Sequence, residues 1–330
     1  MTDSLIQLAI QMTRAIVPII ILVGIIGNSL NIAVLSRPSL YNHACSRYFL
    51  ALACNNLFYT STMMIYRLLA DGYQLDITKV SPISCKLIVY TFQTCGILSQ
   101  YFVILASIDR YCASSSNVYL RKFSNVKVTR WAVLFVMMII MLFYINTAVL
   151  IDLRTTDSYG CRVRGDTIYK QAYSIIQVIL YAIIAPILMA IFGMMTIYNT
   201  KKVRVAPIIV SRHRRTENQL AFMLMIQVIV NIILTMPTCV TYLMLIMSLS
   251  IQTTSTFYFV RTISQLLLYF SFTTPFMLYV VSARVYRKEL IQFMCRLLRL
   301  RNSNLIHLST STITNHVVPF NITIHKTTIL

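Results

Sequence analysis

The chain has 330 residues, 57% of them hydrophobic and only 12% charged, with 29 Lys and Arg against 9 Asp and Glu. A soluble domain of this length carries roughly 25% charged residues to cover its surface, and here the apolar residues come in long runs, so a large soluble core is excluded and burial in a bilayer remains. The net charge of +20 does not point to nucleic acid, because the basic residues gather in loops between apolar runs and none of those loops carries zinc-ligand spacing or a recognition-helix pattern.

Taken in chain order, residues 1–14 form a short N-terminal segment, followed by a predicted span over 15–35. That span is too long for a signal peptide and lacks a small-residue cleavage site, so it reads as a retained anchor; it contains Gly27 and Asn28. The second span, 48–68, holds Leu52, Ala53 and Asn56 and ends on Tyr66 and Arg67. The third, 86–112, carries Phe92, Gln93, Gly96 and Ser99 and finishes with Asp109-Arg110-Tyr111. Further spans follow at 131–151, 172–199, 220–247 and 257–281. Each of the seven is long enough to cross the hydrocarbon layer, for which roughly 20 residues suffice. Pro18, Pro186, Pro237 and Pro275 fall inside spans, where neighbouring helices and hydroxyl side chains can satisfy the carbonyls they free.

Beyond the last span, residues 282–300 mix Arg284, Arg287, Lys288, Arg296 and Arg299 with Val285, Leu290, Ile291, Phe293, Leu297 and Leu298, the pattern of an amphipathic helix on a membrane surface. Cys295 within it is a candidate palmitoylation site. Residues 301–330 are polar and rich in Ser and Thr and are expected to be a disordered tail. The expected fold is an all-α membrane protein, a seven-transmembrane helix bundle with an amphipathic inner-leaflet helix after the last span.

Basic residues set the orientation. The N-terminal segment and its alternate loops carry about +3, nine basic against six acidic residues. The opposite side carries about +17, twenty basic against three acidic residues. The second side is therefore expected to be cytoplasmic, with the N-terminus outside.

Rival membrane classes leave little trace. A transporter or channel would show repeated halves or several buried charges along a path, and no repeat is visible. An intramembrane enzyme needs a catalytic set within its spans, and no span contains a histidine. The cysteines have no Cys-x-x-Cys spacing, so a metal site is not expected, and no cofactor is implied.

Seven spans, an outside N-terminus and Asp109-Arg110-Tyr111 at the inner end of the third together resemble the rhodopsin-like G-protein-coupled receptors, over about Gly24 to Leu300. Gly27-Asn28 matches the Gly-Asn pair of that family's first helix. Leu52-Ala53 with Asn56 matches the Leu-Ala-x-x-Asp of its second, with Asn replacing Asp. Cys85, 25 residues before Arg110, stands at the position of the disulfide cysteine that opens helix three, and the resemblance makes Cys161 its partner. Pro186, Pro237 and Pro275 match the prolines of helices five, six and seven. Within the class, the chain is similar to invertebrate neuropeptide receptors of the FMRFamide type, most visibly at Ser282-Ala283-Arg284-Val285-Tyr286-Arg287.

The resemblance implies an inner gate. Asp109 is expected to hold the Arg110 guanidinium where the span meets the cytoplasm. Glu217, twenty residues before Pro237, is the expected second partner from helix six, in a bridge that outward movement of that helix would break to admit a G protein. Several switch positions depart from the family. Asn56 beside Ser99 removes a carboxylate used to hold sodium. Thr235 stands where an aromatic toggle is expected. Thr274 replaces the Asn before Pro275, and Tyr279 comes one residue late. A receptor-like scaffold that no longer signals is the alternative these departures raise.

Alignment on Arg110 and Pro275 disfavours a monoamine receptor, since Phe92 occupies the amine-binding aspartate position, and an opsin, since Leu268 occupies that of the retinal-linking lysine. The implied ligand pocket comprises Tyr66, Arg67, Phe92, Gln93, Gly96, Thr238, Tyr242, Ser264 and Leu268. The short second outer loop, mixed in charge, suits a polar or peptide ligand. Expected partners are thus an extracellular peptide and a heterotrimeric G protein, with membrane lipid at the basic inner loops. Arrestin and a receptor kinase could act on tail hydroxyls from Ser303 to Thr314, and Thr328-Ile329-Leu330 fits a strand-adding terminal motif.

Overall fold

A computed structural model describes residues 2–153, 161–163, 172, 175–203, 212–247, 254–296 and 298. The expectations placed on the third inner loop (204–211), most of the second outer loop and the tail from 299 onward lie outside them. The chain divides into Met1–Arg287 and Lys288–Leu330, and the architecture below is that of the first unit.

Helix one runs from Thr2 to Leu35 as 34 residues, roughly 50 Å at 1.5 Å per residue, so it begins well before residue 15. Within its first turns Ala9 and Thr13 are buried while Leu8 is exposed. The middle of the helix approaches its neighbours closely. A Cβ on Gly24 would meet Thr60 Cγ2 at 2.8 Å and Thr273 Cγ2 at 2.9 Å, and one on Gly27 would meet Phe276 Cβ at 3.0 Å. Glycine at both positions lets helices two and seven pack backbone-close, the small-residue device of membrane helices.

Helix two is continuous over 44–72, but π turns at Tyr59–Met63 and Leu68–Gly72 divide it. The Thr60 hydroxyl donates to the carbonyls of Asn56 at 2.8 Å and Leu57 at 3.0 Å, covering groups that the wider turn leaves weakly paired. Helix three (Pro82–Ser114) starts on Pro82 with Ser81 as its cap, accepting from the Ile83 N–H at 3.3 Å. Helix four (Val126–Leu150) is capped by Asn125, which accepts from the Val128 N–H at 2.9 Å. Helix five spans 175–203, with a π turn at Ile179–Ile184 directly before Pro186. Helix six is Arg212–Met247, with Pro237 inside it.

Helix seven is broken. Ser255–Ser271 and Thr274–Ser282 meet at 48°. Pro275 has no N–H to offer the Ser271 carbonyl four residues back, and the Thr274 hydroxyl takes its place at 3.0 Å. The Phe272 carbonyl, freed by the same break, accepts from Asn28 Nδ2 at 3.1 Å. Thr274 and Asn28 thus repair what the proline opens.

Five of these helices are long and apolar enough to span a membrane, and the bent pair is a sixth. Helix two, whose α-helical stretches are shortened by its π turns, supplies the remaining path. Helices four and five present large apolar side chains outward, Leu134, Phe135, Leu142, Ile187 and Met194 among them, which in water would be a liability and in lipid is expected. A core cluster ties helices one, two, three and seven together through Val17, Ile21, Tyr59, Cys95, Leu268 and Phe272; Tyr59 and Phe272 stack at 3.9 Å.

One element was not expected. β1 (Ile151–Leu153) pairs antiparallel with β2 (Cys161–Val163), a small hairpin after helix four. The Cys85–Cys161 disulfide, Cα–Cα 5.7 Å, fastens β2 to the start of helix three.

Candidate functional site

The end of helix three away from the disulfide carries the buried ion pair. Arg110 donates to Asp109 Oδ2 through Nη2 at 2.6 Å and Nε at 3.1 Å, and both residues are almost fully buried. Asp109 Oδ1 accepts from the Ser124 hydroxyl at 2.8 Å, so both oxygens of the carboxylate are used. Ser124 closes the short helix Val118–Phe123 and was not singled out from sequence. His43, buried at the turn before helix two, is held below the ordinary histidine range by burial and then by the Arg110 charge. The Tyr111 ring lies 5.8 Å from that of Phe192, and Asn199 donates to Ser114 at 3.4 Å, coupling helix five to helix three. Glu217 sits on helix six, but its side chain is outside the described ones.

Further into the bundle, Ser99 accepts from Asn55 Nδ2 and donates to Asn56 Oδ1, each at 2.7 Å; Asn55 also reaches the Cys95 carbonyl at 2.8 Å. The set is neutral and internally satisfied. Among the described residues no group of His, Cys, Asp and Glu is placed to hold a metal ion.

Helix six is joined to its neighbours by side-chain amides. Asn231 donates to Gln100 Oε1 of helix three and approaches Met189 Sδ of helix five at 3.9 Å. Gln227 Oε1 accepts from the Tyr279 hydroxyl of helix seven at 2.7 Å. Gln219 Oε1 accepts from the Val285 N–H at 3.0 Å. Thr235 is buried and donates to its own helix, at the Asn231 carbonyl, 2.9 Å away. Tyr279 is fully buried between Phe49 and Tyr286, with ring centroids at 5.1 and 5.8 Å, and Tyr286 donates to Asn31 Oδ1 at 2.6 Å. Gln100, Gln219, Gln227, Asn231 and Asn31 were not picked out from sequence. The available signal was an amide side chain inside an apolar run, which in a bilayer requires a partner.

At the opposite end of the bundle, a recess of about 80 Å³ lies between helices one, two and seven. Of the nine pocket residues expected from sequence, Arg67 lines it, joined by Thr13, Asp71, Tyr258, Arg261 and Tyr269 and others. Arg67 stacks its guanidinium 4.5 Å above the Phe92 ring and lies 3.8 Å from Asp71. The remaining expected residues sit elsewhere. Tyr66 donates to Asp76 at 3.1 Å, and Gln93 accepts from Gln177 of helix five at 3.2 Å. Thr238 donates to the Ser264 carbonyl at 2.8 Å, joining helices six and seven. Leu268 is in the core cluster, Tyr242 is partly exposed, and Gly96 has open space where a Cβ would stand. Arg261 was legible as a charge within the predicted span 257–281.

No curated protein matches the chain. The profile of the 7 transmembrane receptor (rhodopsin family) matches residues 27–277, about three quarters of the chain, from the last third of helix one into the second half of helix seven. The chain therefore belongs to the rhodopsin family of seven-transmembrane receptors, a family of membrane receptors that answer a ligand by coupling to G proteins.

Proposed function

We propose that this receptor sits in the plasma membrane with its N-terminus outside, takes an extracellular peptide, and activates its G protein by outward movement of helix six. The positive-inside bias and the Cys85–Cys161 bond support the orientation, since a disulfide persists on the oxidising side. In this reading Cys295 anchors the following helix to the inner leaflet, and Tyr66, Arg67, Phe92, Gln93, Gly96, Thr238, Tyr242, Ser264 and Leu268 surround the ligand.

The observation that carries the mechanism is how helix six is held. Its contacts to helices three and seven run through the Asn231–Gln100, Gln227–Tyr279 and Thr238–Ser264 hydrogen bonds. Interhelical hydrogen bonds in membranes contribute about 0.6 kcal/mol on average and up to about 1.7. The three therefore hold the helix by about 2–5 kcal/mol, a gap that a ligand's differential affinity can overcome. At the inner end Arg110, paired with Asp109 in the resting state and with Glu217 as its proposed second partner from helix six, is the gate. Asn56 and Ser99 replace the sodium site with neutral hydrogen bonds, so the resting state is insensitive to sodium.

The test is a peptide screen of expressed receptor with a promiscuous G-protein readout, alongside Glu217→Gln. The proposal expects at least one peptide to activate and Glu217→Gln to raise ligand-free signalling. A receptor at the cell surface that answers no peptide, with basal activity untouched by Glu217→Gln, overturns it in favour of a non-signalling scaffold.

A further inference from the structure

We propose that the recess between helices one, two and seven is an anion site that takes the carboxylate of a small ligand with an aromatic or aliphatic body. The inference deepens the receptor reading and rests on it only for the consequence of binding, not for binding itself.

Two guanidinium groups, Arg67 and Arg261, line the recess against one carboxylate, Asp71. The carboxylate does not saturate them. Its distance to Arg67 Nη1, 3.8 Å, is an ion-pair contact but too long for a hydrogen bond, and burial pushes the Asp71 carboxyl above its ordinary range while Arg67 and Arg261 both pull it down. The neighbouring Asp76 is already occupied, accepting from Tyr66 and from the backbone and hydroxyl of Thr78.

Donors are left over. Arg67 Nε and the Tyr269 hydroxyl are both buried without a hydrogen-bond partner among the described residues, and Tyr269 is only 3% exposed. A buried donor left unmade costs about 1–3 kcal/mol, so these positions favour a ligand that accepts. The Arg67 guanidinium carbon sits 4.5 Å from the Phe92 ring centroid, and its planar fork suits a planar carboxylate. A cationic ligand would meet two like charges, and a neutral amide would leave the excess positive charge uncompensated. The Tyr258, Leu266 and Tyr269 side chains form the apolar part of the lining, which is why the body of the ligand is aromatic or aliphatic. At about 80 Å³ the recess admits the charged head of a small ligand and not a folded one.

The test uses purified full-length receptor in nanodiscs and reads the thermal midpoint, with no G protein present. The probes are N-acetyl-L-phenylalanine, its carboxamide, and decanoate. The acid should raise the midpoint saturably and the carboxamide should not, and Arg261→Gln and Tyr269→Phe should each weaken the acid about tenfold relative to their own unliganded midpoints. Arg67→Gln should abolish the shift; if that variant fails to fold, the other two carry the test. Binding of decanoate alone supports the anion site and assigns its ligand to lipid acids, which counts against the peptide reading. Equal shifts from acid and carboxamide, or an unweakened acid response in Arg261→Gln and Tyr269→Phe, overturn the proposal. A peptide-driven G-protein response that persists while every carboxylate fails refutes the anion site and leaves the receptor reading intact.

Discussion

Tyr279→Phe isolates a single bond of the switch. The tyrosine is fully buried, its ring set between Phe49 and Tyr286, and its hydroxyl spends its one proton on Gln227 Oε1 at 2.7 Å. Phenylalanine keeps the ring and its packing and removes only the link between helices seven and six. The loss lies between the membrane average of about 0.6 kcal/mol and its upper range of about 1.7. Gln227, 3% exposed, is then left with an acceptor that has little water to turn to, which places the change toward the upper end. If the bond belongs to the resting arrangement, the active population rises roughly threefold to twentyfold, since about 1.4 kcal/mol is a factor of ten. Ligand-free G-protein activation, normalised to surface expression, measures it. Gln227→Leu should give a similar rise, and the double variant should add little, because both remove the same bond. Unchanged or lowered basal activity in well-expressed Tyr279→Phe, or full additivity in the double variant, would refute the assignment.

Replacing Cys161 with Ser opens a loop of 76 residues whose closure is worth about 4.5 kcal/mol in the chain-entropy account, so the thermal midpoint of purified receptor should fall by several degrees and surface expression with it. Gly24→Leu drives a side chain into Thr60 and Thr273, which approach within 3 Å of the Cβ position; it should lower the midpoint sharply, whereas Gly193→Ala, with open space around it, should be neutral or slightly stabilising. His43 has its pKa lowered by burial and by Arg110. A lowered histidine binds fewer protons folded than unfolded, so its stabilising contribution is complete above about pH 6.5 and is lost as pH falls from there toward the folded value. Midpoints of wild type and His43→Gln measured from pH 8 to pH 5 should diverge over that window, with the variant flatter; parallel curves would show that folding leaves the His43 pKa unshifted.

The spans were legible because bilayer burial writes itself as composition: a run of roughly 20 apolar residues is the length of the hydrocarbon layer, and little else in a protein demands it. Their ends were not, because the features that set them are polar and local. Helix one begins at Thr2, ahead of the residue 15 expected, on a stretch whose apolar residues are interrupted by Gln7, Gln11 and Arg14. Helix seven breaks where Thr274 can serve the carbonyl Pro275 abandons, a substitution visible in the sequence as a departure from the family pattern and interpretable only with the Ser271 carbonyl in view. The hairpin at 151–153 and 161–163 is too short for any alternation to show. The ion pair Asp109–Arg110 could be read because its members are adjacent. Tyr286–Asn31, separated by 255 positions, and Asn231–Gln100, separated by 131, could not, although each lone amide within an apolar run announced that a partner existed.

The positions that depart from the family share a physical direction. Where a carboxylate could have drawn in an ion, Asn56 closes on Ser99. Where an aromatic ring could have turned between two packings, Thr235 bonds its own helix, and the hold on helix six passes one turn away to Asn231. Where an asparagine could have braced the seventh proline, Thr274 does so from its own turn, and Tyr279 is freed to reach Gln227. A charge has been exchanged for a neutral hydrogen bond at Asn56, a rotating ring at Thr235 and a longer side-chain amide at Thr274. Such bonds are individually weak in a membrane, and their energies respond little to ionic strength, because no net charge is screened. In the proposed mechanism a switch built from them loses its dependence on sodium, and the bonds of Asn231, Gln227 and Thr238, which all hold helix six, break together when it moves. The Asp109–Arg110 pair, braced by Ser124, is in that proposed mechanism the place where helix-six movement would be converted into an opened cleft. That is why loss of any single amide bond should raise basal signalling, while loss of Arg110 should abolish coupling.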